Sequence, residues 1–127
     1  RSKDIEITGY VQDIRPYFER ARAFVVPLRT GGGTRLKILE AMAMKAPVVS
    51  TSVGCEGLEV ENERHILIRD NPKEFAESVV NLIENPALSE RLASQAYDLV
   101  RTAYNWEGIL EGALQQIEQR AKMFHNA

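Results

Sequence analysis

Apolar residues in this chain fall into short runs whose spacing switches between the strand period and the helix period. Ile5-Glu6-Ile7-Thr8-Gly9-Tyr10-Val11 alternates like a strand, and Asp13 to Arg22 follows with Ile14, Tyr17, Phe18 and Ala21 at helical spacing. Ala23-Phe24-Val25-Val26-Pro27-Leu28 is apolar and β-branched, which reads as a buried strand ending at a proline. After a run of glycines, Leu36, Leu39 and Ala43 predict a helix, and Pro47 then opens the β-branched strand Val48-Val49-Ser50-Thr51. Gly54 and Gly57 break the chain before His65-Ile66-Leu67-Ile68, a further short strand. Asn71-Pro72-Lys73-Glu74 carries a helix start: a capping side chain, a proline in the first turn and an acid three residues after the cap. Phe75, Val79, Leu82 and Ile83 form its apolar face; Leu88, Leu92, Leu99 and Val100 form the next stripe, after Asn85-Pro86. Beyond Asn105-Trp106, the positions Ile109, Ala113, Leu114, Ile117, Ala121 and Phe124 extend helical spacing, so the last third is all helix.

Strands that are apolar on both sides and alternate with helices predict a mostly parallel sheet covered on both faces. The expected fold is α/β, a doubly wound, Rossmann-like arrangement of about four strands flanked by helices, with residues 1–127 as one domain. Its 127 residues, 44% hydrophobic and 27% charged, suit a single core of that kind. Acids and bases are mixed along the whole length to a net charge of -2, which excludes a basic field for nucleic acid. The single cysteine, Cys55, rules out an intramolecular disulfide framework. No apolar run reaches transmembrane length and Arg1-Ser2-Lys3-Asp4 is no signal peptide, so the expectation is a cytoplasmic protein.

The chemistry concentrates in Gly31-Gly32-Gly33-Thr34-Arg35-Leu36-Lys37-Ile38-Leu39-Glu40. Three glycines between a buried strand and a helix put unhindered N–H groups at a positive helix end, where a phosphate can approach. The spacing matches neither the dinucleotide fingerprint nor the phosphate loop of nucleoside triphosphatases. Thr34 can cap the helix, Arg35 and Lys37 add positive charge beside a diphosphate, and the Glu40 carboxylate can accept two adjacent hydroxyls of a ribose. The same string also fits a plain loop turn followed by a solvated helix face. Gly54 and Glu56 follow the strand ending near Thr51, where a doubly wound sheet gathers its ligand loops, although Glu56 equally suits a surface acid. Cys55 has no cationic neighbour in sequence to activate it, and His65 with His125 makes no metal set.

From Val26 through Glu40, Ala41-Met42-Ala43, Pro47-Val48-Val49-Ser50 and Gly54, the chain resembles the donor-binding segment of retaining GT-B glycosyltransferases, in particular glycosyltransferase family 4. A subgroup of bacterial sugar transferases carries a similar G-G-G-T-R-L-K-I-L-E string. Glu40 matches the second glutamate of that family's E-x7-E motif, which holds the ribose, and the glycine turn with Thr34 matches the backbone against donor phosphate and sugar. The motif's first glutamate is replaced by Gly32. Gly9-Tyr10-Val11-x-Asp13 is similar to the family's third C-domain strand and its exit, and the likeness runs from about Ile5 to about Trp106.

The resemblance implies a hexosyl transfer with retention from a UDP- or GDP-sugar, in polysaccharide or glycolipid synthesis. It implies no metal, a donor diphosphate and sugar bound by Gly31, Gly32, Gly33, Thr34, Arg35, Leu36 and Lys37, and charge on the leaving diphosphate stabilised by Gly32, Gly33, Thr34, Arg35 and Lys37, with Arg35 and Lys37 as the catalytic cations. It implies further that an N-terminal acceptor domain and the first two strand-helix units lie outside these residues, that this part alone is inactive, and that the whole enzyme is cytoplasmic or peripheral to the inner membrane face. The absent strands belong between the first strand and the second, so the sheet closes that gap or exposes an edge able to self-associate. Two rivals share the fold: a UDP-sugar epimerase, and a non-catalytic doubly wound nucleotide-binding or interaction module, such as a receiver-like domain with acids at its strand ends.

Overall fold

The computed structural model describes residues 4–104; the stripe from Ile109 to Phe124, with Trp106 and His125, lies outside the described residues. In chain order the elements are α1 (Arg15–Arg20), β1 (Phe24–Val26), α2 (Arg35–Ala43), β2 (Val48–Ser50), β3 (Leu67–Ile68), α3 (Pro72–Glu84) and α4 (Pro86–Ala103). The strands form one parallel sheet in the order β1-β2-β3, with Val25 opposite Val49 and Val49 opposite Leu67. This is the expected α/β fold with a helical end, in three strands among the described residues rather than about four.

The difference lies in Ile5–Val11. Its alternation is that of a strand, yet it makes no ladder, and Ile5, Ile7 and Tyr10 stand 62%, 67% and 68% exposed. A strand persists only against a partner that takes up its N–H and C=O groups, and no described strand lies beside this segment. The edge of β1 away from β2 is also unpaired among the described residues, and Val25 is exposed there.

Successive residues of β2 point to opposite faces, and both faces are covered. Val48 packs into the cluster of Phe18, Val26, Ile38, Met42 and Ile66, whereas Val49 joins Leu67, Leu82 and Leu92 beneath α3. Helix α4 reaches from one side to the other, with Leu92 in the second cluster and Ala96 and Val100 in the first. Ile38, Leu39, Glu40, Ala41 and Met42 are all buried, so the second half of α2 is enclosed instead of being amphipathic.

Helix ends explain the sharp corners. Asn71 caps α3 by accepting from the N–H groups of Lys73 (2.9 Å) and Glu74 (3.2 Å), as its sequence predicts. Asn85 ends α3 and caps α4, accepting from the Leu88 N–H at 3.2 Å, so no linker separates the two. Helix α2 stops with Lys45 at φ 58 and with bonds from Lys45 N–H to Met42 O and from Ala46 N–H to Ala41 O, a Schellman ending. Glycine usually takes that place; here the Lys45 ammonium lies 4.7 Å from the centre of the Tyr97 ring on α4. No described helix is long and apolar enough to cross a membrane.

Candidate functional site

The C-terminal ends of three parallel strands open onto one edge, and the connections that leave them build the site. After β1 the chain runs through Leu28 and Arg29 to the glycine turn. Gly31 and Gly33 have φ 92 and 86, a region L-residues rarely occupy, and a side chain on any of the three glycines would meet nothing within 4 Å. Gly31 and Gly33 are therefore required by the backbone. Gly32 is not, and all three glycines are exposed.

Thr34 is the N-cap residue of α2, but its backbone is helical and its side chain makes no capping bond. The predicted cap is corrected: the hydroxyl donates to Gly54 O at 2.7 Å, across to the loop after β2. A cap needs the extended backbone that turns the side-chain oxygen back over the helix start, and Thr34 does not have it. No described side chain therefore caps the first turn of α2. Leu36 is half-buried behind that turn.

Arg35 and Lys37, both exposed, leave the helix in different directions, as residues two apart on a helix must. The Arg35 guanidinium lies over Gly57, so close that a Cβ at Gly57, where φ is 88, would come within 2.6 Å of Nη1. Lys37 lies on the other side, where with Thr34 it closes one end of an apolar groove of about 350 Å³ along the free edge of β1, over Val25, Val26 and Leu28. No described carboxylate forms an ion pair with either cation.

Glu40 sits one turn from Lys37 on the same face of α2 and is 8% exposed. Burial pushes its carboxyl above the ordinary carboxylate range, and the Lys37 charge pulls it partly back. No described group donates a hydrogen bond to it. A largely buried carboxylate that takes no hydrogen bond from the protein and whose oxygens stay in reach of solvent, on a helix whose start has no cap, is suited to hydroxyls brought by a ligand.

The loop after β2 supplies the remaining contacts. Gly54 is buried because it packs onto the strands: a Cβ there would lie 2.5 Å from Ser50 Oγ and 2.8 Å from Val26 Cγ1. Glu56 is exposed and its N–H bonds to Val53 O at 3.3 Å, the position of a surface acid. Cys55 is buried beneath the same turn, where burial pushes its thiol pKa up and Sγ donates to Thr51 O at 3.5 Å. His65 is buried away from the glycine turn, with Nδ1 accepting the Glu61 N–H at 3.0 Å and its pKa pulled down by burial. Among the described residues no group of three His, Cys, Asp or Glu side chains is gathered as a metal site.

Thr51, Ser52 and Asp70 belong to no motif in the sequence, yet the fold brings them to this edge. Thr51 Oγ1 donates to Leu28 O and accepts the Gly54 N–H at 3.1 Å; Asp70, just past β3, accepts from the Ser52 N–H (2.8 Å) and hydroxyl (2.9 Å). The only available signal was a hydroxyl residue or an acid placed directly after a buried strand.

These contacts separate the glycines by experiment. Gly31→Ala and Gly33→Ala are each expected to cost about 1–2 kcal/mol through the left-handed backbone, and Gly54→Ala about 1–3 kcal/mol through overpacking. Gly32→Ala should stay within about 0.5 kcal/mol of the parent. Denaturant midpoints of the four variants check the order, and equal losses at Gly32 and Gly33 would overturn it.

Among known proteins, the family described as "Glycosyl transferases group 1" matches residues 1–85. The chain is 27% identical over 94 residues to an "Uncharacterized 44.6 kDa protein in cps region" of Klebsiella pneumoniae, covering 74% of this chain and 24% of that protein. It is 32% identical over 84 residues to a "Probable sucrose-phosphate synthase" of Thermosipho melanesiensis, covering 66% of this chain and 19% of that one. With a "Glycosyltransferase 1 domain-containing protein 1" of Xenopus tropicalis the figures are 29% over 75 residues, 59% and 22%. The chain thus spans about a quarter or less of the length of these relatives. A family match that takes in β1, the glycine turn, α2, β2, β3 and α3, on a parallel sheet whose loops meet at one edge, means that this chain belongs to the glycosyl transferases group 1 family.

Proposed function

We propose that these residues form the donor half of an enzyme that moves a hexosyl group from a UDP- or GDP-sugar to an acceptor with retention, in polysaccharide or glycolipid synthesis at or near the cytoplasmic face of a membrane. The observation that carries the reading is the pairing on α2 of an uncapped first turn, opening from Gly31-Gly32-Gly33, with a largely buried Glu40 to which no described group donates a hydrogen bond. The diphosphate lies over the glycine turn and the N–H groups of Thr34, Arg35, Leu36 and Lys37, and the ribose hydroxyls reach Glu40. Arg35 and Lys37 flank that position from two sides and take up the charge that grows on the leaving diphosphate. In this reading no metal has a role, the nucleotide sugar is the donor substrate, and an acceptor domain elsewhere in the protein completes the enzyme. Gly32 leaves open space where the motif's first glutamate would stand, so the contact to the transferred sugar comes from another residue.

Calorimetry of the longer protein that contains this chain tests the reading directly. Binding of UDP or GDP, and transfer from the matching nucleotide sugar with the anomeric configuration retained, read from the anomeric proton's coupling in NMR, are the expected results; failure to bind any nucleoside diphosphate removes the reading. Conversion of the donor into an epimer without an acceptor would turn it to the epimerase. A receiver-like module is disfavoured by the strand exits, where the Asp70 carboxylate is held by Ser52 and no other described acid accompanies it on Thr51 or Ser52 or between Pro27 and Gly33.

A further inference from the structure

We infer that Thr34 and Thr51 are positioning residues that clamp the glycine turn to the loop after β2, and that this clamp sets where Arg35 stands; the inference rests on the donor-site reading above. Three backbone segments far apart in sequence are joined by two hydroxyls. Leu28 O, at the exit of β1, accepts from Thr51 Oγ1, which in turn accepts the Gly54 N–H at 3.1 Å. Gly54 O then accepts from Thr34 Oγ1 at 2.7 Å, which closes the chain of bonds on the first residue before α2.

Each hydroxyl has one proton, and here both protons go to backbone carbonyls. Thr34 therefore cannot donate to a ligand phosphate from its hydroxyl while the clamp is closed. Its part in the site is to fix the start of α2, whose own N–H groups stay uncapped. The clamp forms only because residue 54 is glycine, since any Cβ would strike Ser50 Oγ and Val26 Cγ1 and lift the loop off the strands.

The same loop meets α2 a second time. Gly57 at φ 88 leaves the space in which the Arg35 side chain lies, with Cδ and Cζ 3.4 and 3.6 Å from where a Cβ would be. Loop and helix start are thus fixed at two points, Thr34 on Gly54 and Arg35 on Gly57. Opening the first frees the second, and a guanidinium held against Gly57 becomes one that samples many rotamers. Anion binding that depends on directed N–H groups loses from such loosening even when no ligand contact is removed.

The test uses the longer protein that contains this chain, with UDP and GDP as probes. Thr34→Val keeps shape and removes the donor, and is expected to weaken nucleotide binding by up to about tenfold, the limit reached when the whole of about 1.4 kcal/mol is needed again to order the site for the ligand. Thr34→Ser restores the hydroxyl and should bind within about twofold of the parent. Thr51→Val should weaken binding similarly, and the double variant should lose less than the sum, as members of one network do. If Thr34→Val binds as the parent does while its melting temperature falls, the hydroxyl is structural only and the inference is overturned. Should that variant fail to fold, Gly57→Ala carries the test, since its Cβ displaces Arg35 without touching either threonine; parental affinity in that variant would overturn the link to Arg35. Absence of nucleotide binding by the parent overturns the donor-site reading itself, an outcome distinct from parental binding that survives Thr34→Val.

Discussion

Replacing Arg35 and Lys37 together by alanine is expected to lower turnover by about 10²–10³-fold, the loss typical when groups that stabilise a developing oxyanion are removed. As the glycosidic bond breaks, charge that was shared with the sugar moves onto the diphosphate, so a fixed cation gains more in the transition state than in the ground state. The two side chains flank the start of α2 from the Gly57 side and from the β1 edge, and neither forms an ion pair with a described carboxylate. Their single variants should therefore each retain part of the rate. They should also differ in kind. Lys37 holds the Glu40 carboxyl down, so Lys37→Ala leaves that group easier to protonate and moves the acid limb of nucleotide binding to higher pH, whereas Arg35→Ala leaves it in place. Steady-state kinetics and the pH dependence of binding measure both effects, and unchanged turnover in the double variant removes the pair from the mechanism.

Glu40→Gln is expected to separate stability from binding. An amide can accept at one oxygen only, so one of two ribose hydroxyls loses its acceptor and nucleotide affinity falls about 10–100-fold, for a charged hydrogen bond of about 1.5–3 kcal/mol. Without ligand, the same variant should melt at a higher temperature than the parent at neutral pH, because it removes a carboxylate whose charged form burial disfavours. The sign follows from the raised pKa. Below the ordinary value of 4.5 the carboxyl is protonated both folded and unfolded, and the parent loses nothing. As pH rises through the higher folded value, the unfolded chain releases its proton more readily and the parent's stability is lost. The gap between variant and parent therefore opens from acid toward neutral pH. Calorimetric melting across that range checks it, and a variant less stable than the parent at neutral pH would show that Glu40 is satisfied within the fold.

Much of the architecture was legible because it rests on local rules. The strands at Phe24–Val26 and Val48–Ser50, the Asn71 cap and the proline starts of α3 and α4 all appear where sequence placed them, although β1 is buried only at Val26 and leaves Val25 exposed. Each needs only the residue and its immediate neighbours. Ile5–Val11 shows the limit: alternation states which sides of a strand would be buried, and whether a strand forms depends on a neighbour the pattern cannot name. Thr34 fails for a related reason. Its position before an apolar helix is that of a cap, but a carbonyl twenty residues away in sequence took its hydroxyl.

Of the candidate site, the sequence by itself determined the turn of glycines, the helix that follows, the presence of a carboxylate and two cations along it, and the likeness to sugar transferases. Those are matters of residue type and spacing, which folding does not alter. Only the tertiary structure decided that Gly31 and Gly33 serve the backbone while Gly32 does not, that Arg35 meets Gly57 and Lys37 the edge of β1, that Glu40 is buried without a donor, and that Thr34 and Thr51 tie the loops of two strands together. The physical reason is common to all four. Dihedral sign, burial and the partner of a hydroxyl are set by segments that meet across the edge of a parallel sheet, and the crossovers that bring them there separate them by twenty or more residues of chain.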